Sequence, residues 1–84
     1  MKLLKFESSS CELCIQLDEL MENMALPYPV EKINIEENVA TAVKYVVRNT
    51  PTLILVDDSG VEIARQAGVV SAAEIHKVFV ENLV

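Results

Sequence analysis

Residues 52 to 56, Thr-Leu-Ile-Leu-Val, form an unbroken β-favouring run with no charged side chain to turn toward water. A strand of that kind is covered on both faces, so the chain must build a sheet packed between layers of helix. The flanking sequence supplies the remaining pieces. Residues 2 to 8 (KLLKFES) read as a second apolar strand ended by serines, and residues 30 to 35 (VEKINI) as a third, imperfectly alternating one near a sheet edge. Between them, from Cys11 to Met24, the period becomes helical. Cys14, Leu17, Met21 and Met24 share one face with Leu13 and Leu20 beside them, and Glu12, Asp18, Glu19 and Glu22 point mostly outward. Leu26-Pro27-Tyr28-Pro29 stops that helix.

Val39, Ala42, Val43 and Val46 recur at helical spacing and predict a second helix. After the central strand, Asp57-Asp58-Ser59-Gly60 is turn chemistry in which Gly60 supplies a positive φ, and residues 61 to 66 (VEIARQ) return as a hairpin arm. Ser71 and Glu74 make an S-x-x-E capping box ahead of a helix expected to bury Ala72, Ile75, Phe79 and Leu83. The expected fold is α/β in the order β-α-β-α-β-β-α, with a four-stranded mixed sheet flanked by three helices. The first two strands lie parallel and the final hairpin adds an antiparallel arm. At 84 residues this is one domain, residues 1 to 84, near the lower limit for a self-sufficient core.

Both cysteines, Cys11 and Cys14, stand two residues apart in Ser-Ser-Ser-Cys-Glu-Leu-Cys. A bridge between them closes too short a loop to remove much unfolded-chain entropy, so a structural staple is a poor explanation. Zinc needs four ligands, and beyond two thiols the chain offers one distant histidine, His76, which reads as a surface residue. Two inert core cysteines are a further alternative. The placement favours chemistry. Cys11 falls at the first turn of a helix directly after a strand, where unpaired backbone N–H groups and the helix dipole stabilise a thiolate. Cys14 lies one turn on, near enough to bridge to it. Cys-x-x-Cys beside a βαβ pattern reads as a redox pair in which Cys11 attacks a disulfide and Cys14 resolves the product. Thirteen acidic against seven basic residues give a net charge of −6, which argues against nucleic acid, the nearest basic stretch being Lys44 to Arg48. No run reaches the ~18 apolar residues of a membrane span, and the N-terminal apolar stretch is short for a signal peptide. The expectation is therefore a soluble, cytoplasmic monomer that binds neither membrane nor nucleic acid.

From Asn34 to Phe79 the chain resembles the C-terminal half of thioredoxins. The matching features are the Asn34-Ile35-Glu36 strand end, the run from Lys44-Tyr45 through Arg48 to Pro51-Thr52, the hairpin turn at Gly60, and Gly68 ahead of Ser71. With the Cys-x-x-Cys helix ahead of it the resemblance spans nearly the whole chain, trimmed to the compact core that glutaredoxins use. It implies a thiol–disulfide oxidoreductase with Cys11 as exposed nucleophile and Cys14 as buried resolving thiol. Its only redox group would be the Cys11–Cys14 disulfide, with no metal and no other cofactor. Pro51 matches a proline held cis, which turns the Thr50 backbone toward an incoming peptide, and Gly68 matches a glycine lining the same groove.

Departures from the family pattern fall around the cysteines. Lys5 occupies the position of a buried aspartate, Lys32 matches a lysine that accompanies that aspartate, and Glu7 is the nearest other carboxylate on the strand. Ser10 replaces an aromatic residue, and Glu12-Leu13 replaces Gly-Pro. Glu12, Lys5 and Lys32 are accordingly expected to tune the pair, Glu12 by disfavouring the Cys11 thiolate and making the couple more reducing. The implied partners are proteins carrying disulfides, with a thioredoxin reductase or glutathione as electron source. Two other readings remain. One is a glutaredoxin-like, glutathione-dependent donor, for example to ribonucleotide reductase. The other is a redox-inactive binding module.

Overall fold

The structure, a computed structural model, describes residues 1–81. Its elements are β1 (Lys2–Glu7), α1 (Glu12–Glu22), β2 (Val30–Asn34), α2 (Val39–Lys44), β3 (Thr52–Val56), β4 (Glu62–Ala67) and α3 (Ala72–Phe79), the expected order. They form one sheet in the order β2-β1-β3-β4. β1 runs parallel to β2 with Lys5 opposite Lys32, and antiparallel to β3 with Leu4 opposite Ile54. β3 pairs antiparallel with β4 through a register shift at Leu55/Val56.

Alternation along β1 divides the core in two. Leu3 faces a cluster with Leu17 of α1, Leu53 and Leu55 of β3, and Ile75 and Phe79 of α3. Leu4 and Phe6 face the opposite layer with Ile33, Ile54 and Val56, closed by Tyr45 and Val47. Every residue of β3 is buried, as its unbroken pattern demands. Gly60 takes φ +83° in the β3–β4 turn, and its carbonyl accepts the Tyr45 hydroxyl at 2.6 Å, which joins the hairpin to the end of α2. Arg65 of β4 strengthens that joint by donating to the Tyr45 and Val46 carbonyls and to Glu62. The hydrogen bond from Arg65 holds the Glu62 carboxyl below its usual range.

Ser71 caps α3, its hydroxyl accepting the Glu74 N–H at 3.2 Å. Ile75 and Phe79 are fully buried and Ala72 only partly, while the expectation for Leu83 lies outside the described residues. The Tyr28 hydroxyl donates to the Phe79 carbonyl at 2.7 Å and so ties the segment after α1 to the end of α3. Burial pushes the Tyr28 pKa up to about 12. The folded state therefore keeps this proton where the unfolded chain has lost it, and its stabilisation, intact below pH about 10, disappears between pH 10 and 12. Tyr28→Phe should show a shallower loss of stability over that window in urea melts, and should cost about 1–3 kcal/mol at neutral pH by stranding the carbonyl.

Three readings are corrected by the packing. Val39, Val43 and Val46 point to solvent, not to the core. α2 has only six residues, Ala42 is its buried side chain, and Val46 sits outside it at φ +53°. Leu13 does not join the buried face of α1, being half exposed. Asp18 is not a solvated residue but is half buried in a charge cluster described below. Among the described residues no helix is long and apolar enough to cross a membrane.

Candidate active site

The carboxyl end of β1, the start of β3 and the end of β4 meet at one end of the sheet, and the cysteines stand there. Ser10, at φ +60°, turns the chain out of β1 so that Cys11 becomes the N-cap of α1. Its sulfur takes the place of the usual capping oxygen, accepting the Cys14 N–H at 3.1 Å. Cys11 is partly exposed, whereas Cys14 is 3% exposed on the inward face of the helix. The two are joined as a disulfide with Cα atoms 5.2 Å apart. Glu12 is the first residue of the helix and exposed.

Across the groove, the Thr50–Pro51 peptide is cis and Pro51 is buried. The Gly68 N–H donates to the Pro51 carbonyl at 2.8 Å, so the end of β4 lies against this loop. Gly68 adopts φ +81° and nothing lies within 4 Å of where a Cβ would stand, so the requirement for glycine is conformational and the surface beside it is open. The Thr50 hydroxyl lies 3.7 Å from the Cys11 sulfur and 2.9 Å from the Ser8 hydroxyl. Cys11, Cys14, Thr50, Pro51 and Gly68, singled out along 58 residues of chain, thus converge on one place.

Of the three residues expected to tune the pair, Glu12 stands apart from Lys5 and Lys32, which meet around Asp18. Lys5 is 1% exposed, with Nζ 2.9 Å from Glu7 Oε1 and 3.2 Å from Asp18 Oδ1. Lys32 Nζ lies 3.3 Å from the other Asp18 oxygen, closing a cluster of two cations and two carboxylates with no net charge. A buried ammonium is tolerated only with such partners. Asp18 stands four residues after Cys14 on α1, one turn away on the same helix face. The cluster borders a cavity of about 560 Å³ shared with Tyr28.

Two residues here were not singled out from the sequence. Asp18 had a usable signal, its i+4 spacing from Cys14. Ser8 had none, because its partner is 42 residues away. His76 lies on the surface, 3.2 Å from Glu81. Among the described residues no group of three or more His, Cys, Asp or Glu side chains is placed to hold a metal ion.

Comparison with known proteins agrees with this arrangement. A family model for a thioredoxin-like domain matches residues 2–81. The chain is 36% identical to the thioredoxin of Buchnera aphidicola subsp. Acyrthosiphon pisum (strain APS), across 96% of its own length and 78% of that protein. It is 39% identical to the thioredoxin of Chlamydia pneumoniae, across 98% of its length and again 78% of the relative. Among solved structures, a mutant thioredoxin from Halobacterium salinarum NRC-1 superposes with a TM-score of 0.83 at 29% identity, covering 93% of this chain and 70% of that one. Fold, cysteine pair and relatives together make the activity that of a thiol–disulfide oxidoreductase, and the chain belongs to the thioredoxin-like family.

Proposed function

We propose that the protein is a monomeric cytoplasmic dithiol reductant of protein disulfides, with Cys11 as nucleophile and Cys14 as resolving thiol. The observation that carries this reading is the placement of Cys11, partly exposed at the start of α1 with a backbone N–H already donated to its sulfur, while Cys14 is buried behind it. A thiolate there is favoured by the helix terminus, and a substrate sulfur can reach Cys11 but not Cys14. The Cys11 thiolate attacks a substrate disulfide, forming one S–S bond and expelling one substrate sulfur, which takes up a proton. The Cys14 thiolate then attacks the Cys11 sulfur, releasing the second substrate thiol and leaving the Cys11–Cys14 disulfide. Two electrons pass to the substrate.

In this reading an extended substrate segment pairs as a short added strand against the Thr50 backbone, over the open surface beside Gly68. Leu13 and Val69, both substantially exposed beside Cys14 and Gly68 in the chain, offer it apolar contact. The electron source in this reading is a thioredoxin reductase. Insulin reduction tests it: turnover with a thioredoxin reductase but not with glutathione supports the proposal. Turnover with glutathione alone would make the protein a glutaredoxin-like donor, and turnover with neither a binding module.

Glu12 acts as a tuning charge at Cys11. Its exposure limits the repulsion to about 1 kcal/mol or less. Glu12→Gln should favour the Cys11 thiolate and raise the reduction potential by roughly 10–20 mV. Absorbance titration at 240 nm and a redox titration of both proteins check this, and an unchanged potential would assign Glu12 to partner contact.

A further inference from the structure

The Cys11 sulfur has a second hydrogen-bonding neighbour that the thiol chemistry above leaves unused. The Thr50 hydroxyl stands 3.7 Å from it, within reach of a sulfur acceptor, and the same hydroxyl is 2.9 Å from that of Ser8. A threonine hydroxyl has one proton to give and two lone pairs to offer. If Ser8 accepted that proton, none would remain for the sulfur. If Ser8 donates its own proton to the Thr50 oxygen, the Thr50 proton is free for Cys11. Once the disulfide opens and Cys11 carries negative charge, the second arrangement is the stable one, since hydrogen bonds to ionised acceptors are roughly twice as strong as neutral ones. Each donation also polarises the next.

We propose that Ser8, Thr50 and Cys11 form a hydroxyl relay in which Thr50 is a catalytic residue donating to the Cys11 thiolate and Ser8 is a positioning residue that orients it. The proposal rests on the reading of Cys11 as nucleophile. The relay favours the thiolate both when Cys11 attacks and when it leaves on reduction of the Cys11–Cys14 disulfide, so it raises the reduction potential of the pair.

The charges around this sulfur are held elsewhere. On β1, Glu7 is bonded to Lys5, which also takes Asp18 of α1. Glu36, after β2, accepts the Ser9 N–H at 2.7 Å. Glu12 on α1 and Arg48, two residues before Thr50, are exposed. On the β4 side Gly68 and Val69 carry no charge. The neutral hydroxyls therefore act on Cys11 at close range while the fixed charges are paired or solvated.

The test is the pH dependence of iodoacetamide alkylation of the reduced protein, mapped to each cysteine by mass spectrometry, for wild type, Thr50→Val, Thr50→Ser, Ser8→Ala and the Thr50→Val/Ser8→Ala double variant. Valine keeps the shape of threonine without its hydroxyl, so the Cys11 midpoint should rise by about half a unit to one unit, the long contact to sulfur giving less than a full charged hydrogen bond. Thr50→Ser should restore the wild-type midpoint. Ser8→Ala should give a smaller rise, and the double variant should match Thr50→Val alone, because Ser8 acts only through Thr50. The reduction potential of Thr50→Val should fall in parallel. An unchanged or lower midpoint in Thr50→Val, or additive effects in the double variant, would overturn the relay while leaving Cys11 as nucleophile. Alkylation of Cys14 ahead of Cys11 in the wild type would overturn the nucleophile assignment and the relay with it.

Discussion

Cys14→Ser is expected to stop the cycle after its first step, so that disulfide-linked complexes with substrate accumulate, whereas Cys11→Ser reduces insulin no faster than buffer. The asymmetry follows from access and position. Cys11 is the partly exposed cap of α1, and Cys14 is buried one turn further on the inward face. A substrate disulfide meets only the first sulfur, and only the second is placed to attack the bond so formed. Serine at Cys14 keeps the size of the side chain and the Cys14-position N–H that donates to the Cys11 sulfur, so the nucleophile survives. Non-reducing gels and mass spectrometry after incubation with insulin check the outcome. Mixed disulfides formed by Cys11→Ser in place of Cys14→Ser would reverse the two roles.

The second large effect is expected on stability, from the charge cluster at Lys5. Its ammonium is almost wholly removed from water, while the Glu7 and Asp18 side chains keep 25% and 33% of their exposure. Removing the carboxylates and removing the lysine are therefore unequal changes. In Glu7→Gln/Asp18→Asn the buried cation loses both anions, and the expected cost is about 2–3 kcal/mol, toward the low end for a stranded charge because these sites border solvent. In a domain of this size that lowers Tm by roughly 10–20 °C. In Lys5→Met the carboxylates turn outward to water or to Lys32, the methionine fills the space with apolar atoms, and the cost should be about 1 kcal/mol or less. Urea melts of the two variants decide it. A Lys5→Met protein less stable than the double variant would mean that the ammonium is needed for the fold and is not merely accommodated by its partners.

The difference between what the sequence disclosed and what it concealed has a physical origin. β3 was legible because five consecutive residues without charge admit one environment, and all five are buried. The start of α3 was legible because a serine three residues before a glutamate is a local signal, and the cap it forms spans three residues. Cys11 at the start of α1 follows in the same way from a change of period. α2 misled because its valines recur at helical spacing on the face turned to solvent, while the contact with the core is made by Ala42 and by Tyr45 and Val47 beyond the helix. Asp18 misled because a carboxylate among other acidic residues reads as solvated until a buried lysine from another element is placed against it. The Ser8–Thr50 contact joins residues that no period or motif relates, so only the pairing of β1 with β3 in the folded sheet brings it into view.

The most direct measurement of the central claim is a single-turnover balance. Fully reduced protein, freed of excess reductant, is mixed with an excess of insulin, and thiols on both partners are counted by alkylation and mass spectrometry as the reaction proceeds. The account predicts that one insulin disulfide opens for each protein molecule oxidised, with Cys11 and Cys14 losing their thiols together to form one intramolecular disulfide. Insulin left intact while both cysteines stay free, or insulin reduced with neither cysteine consumed, would contradict it.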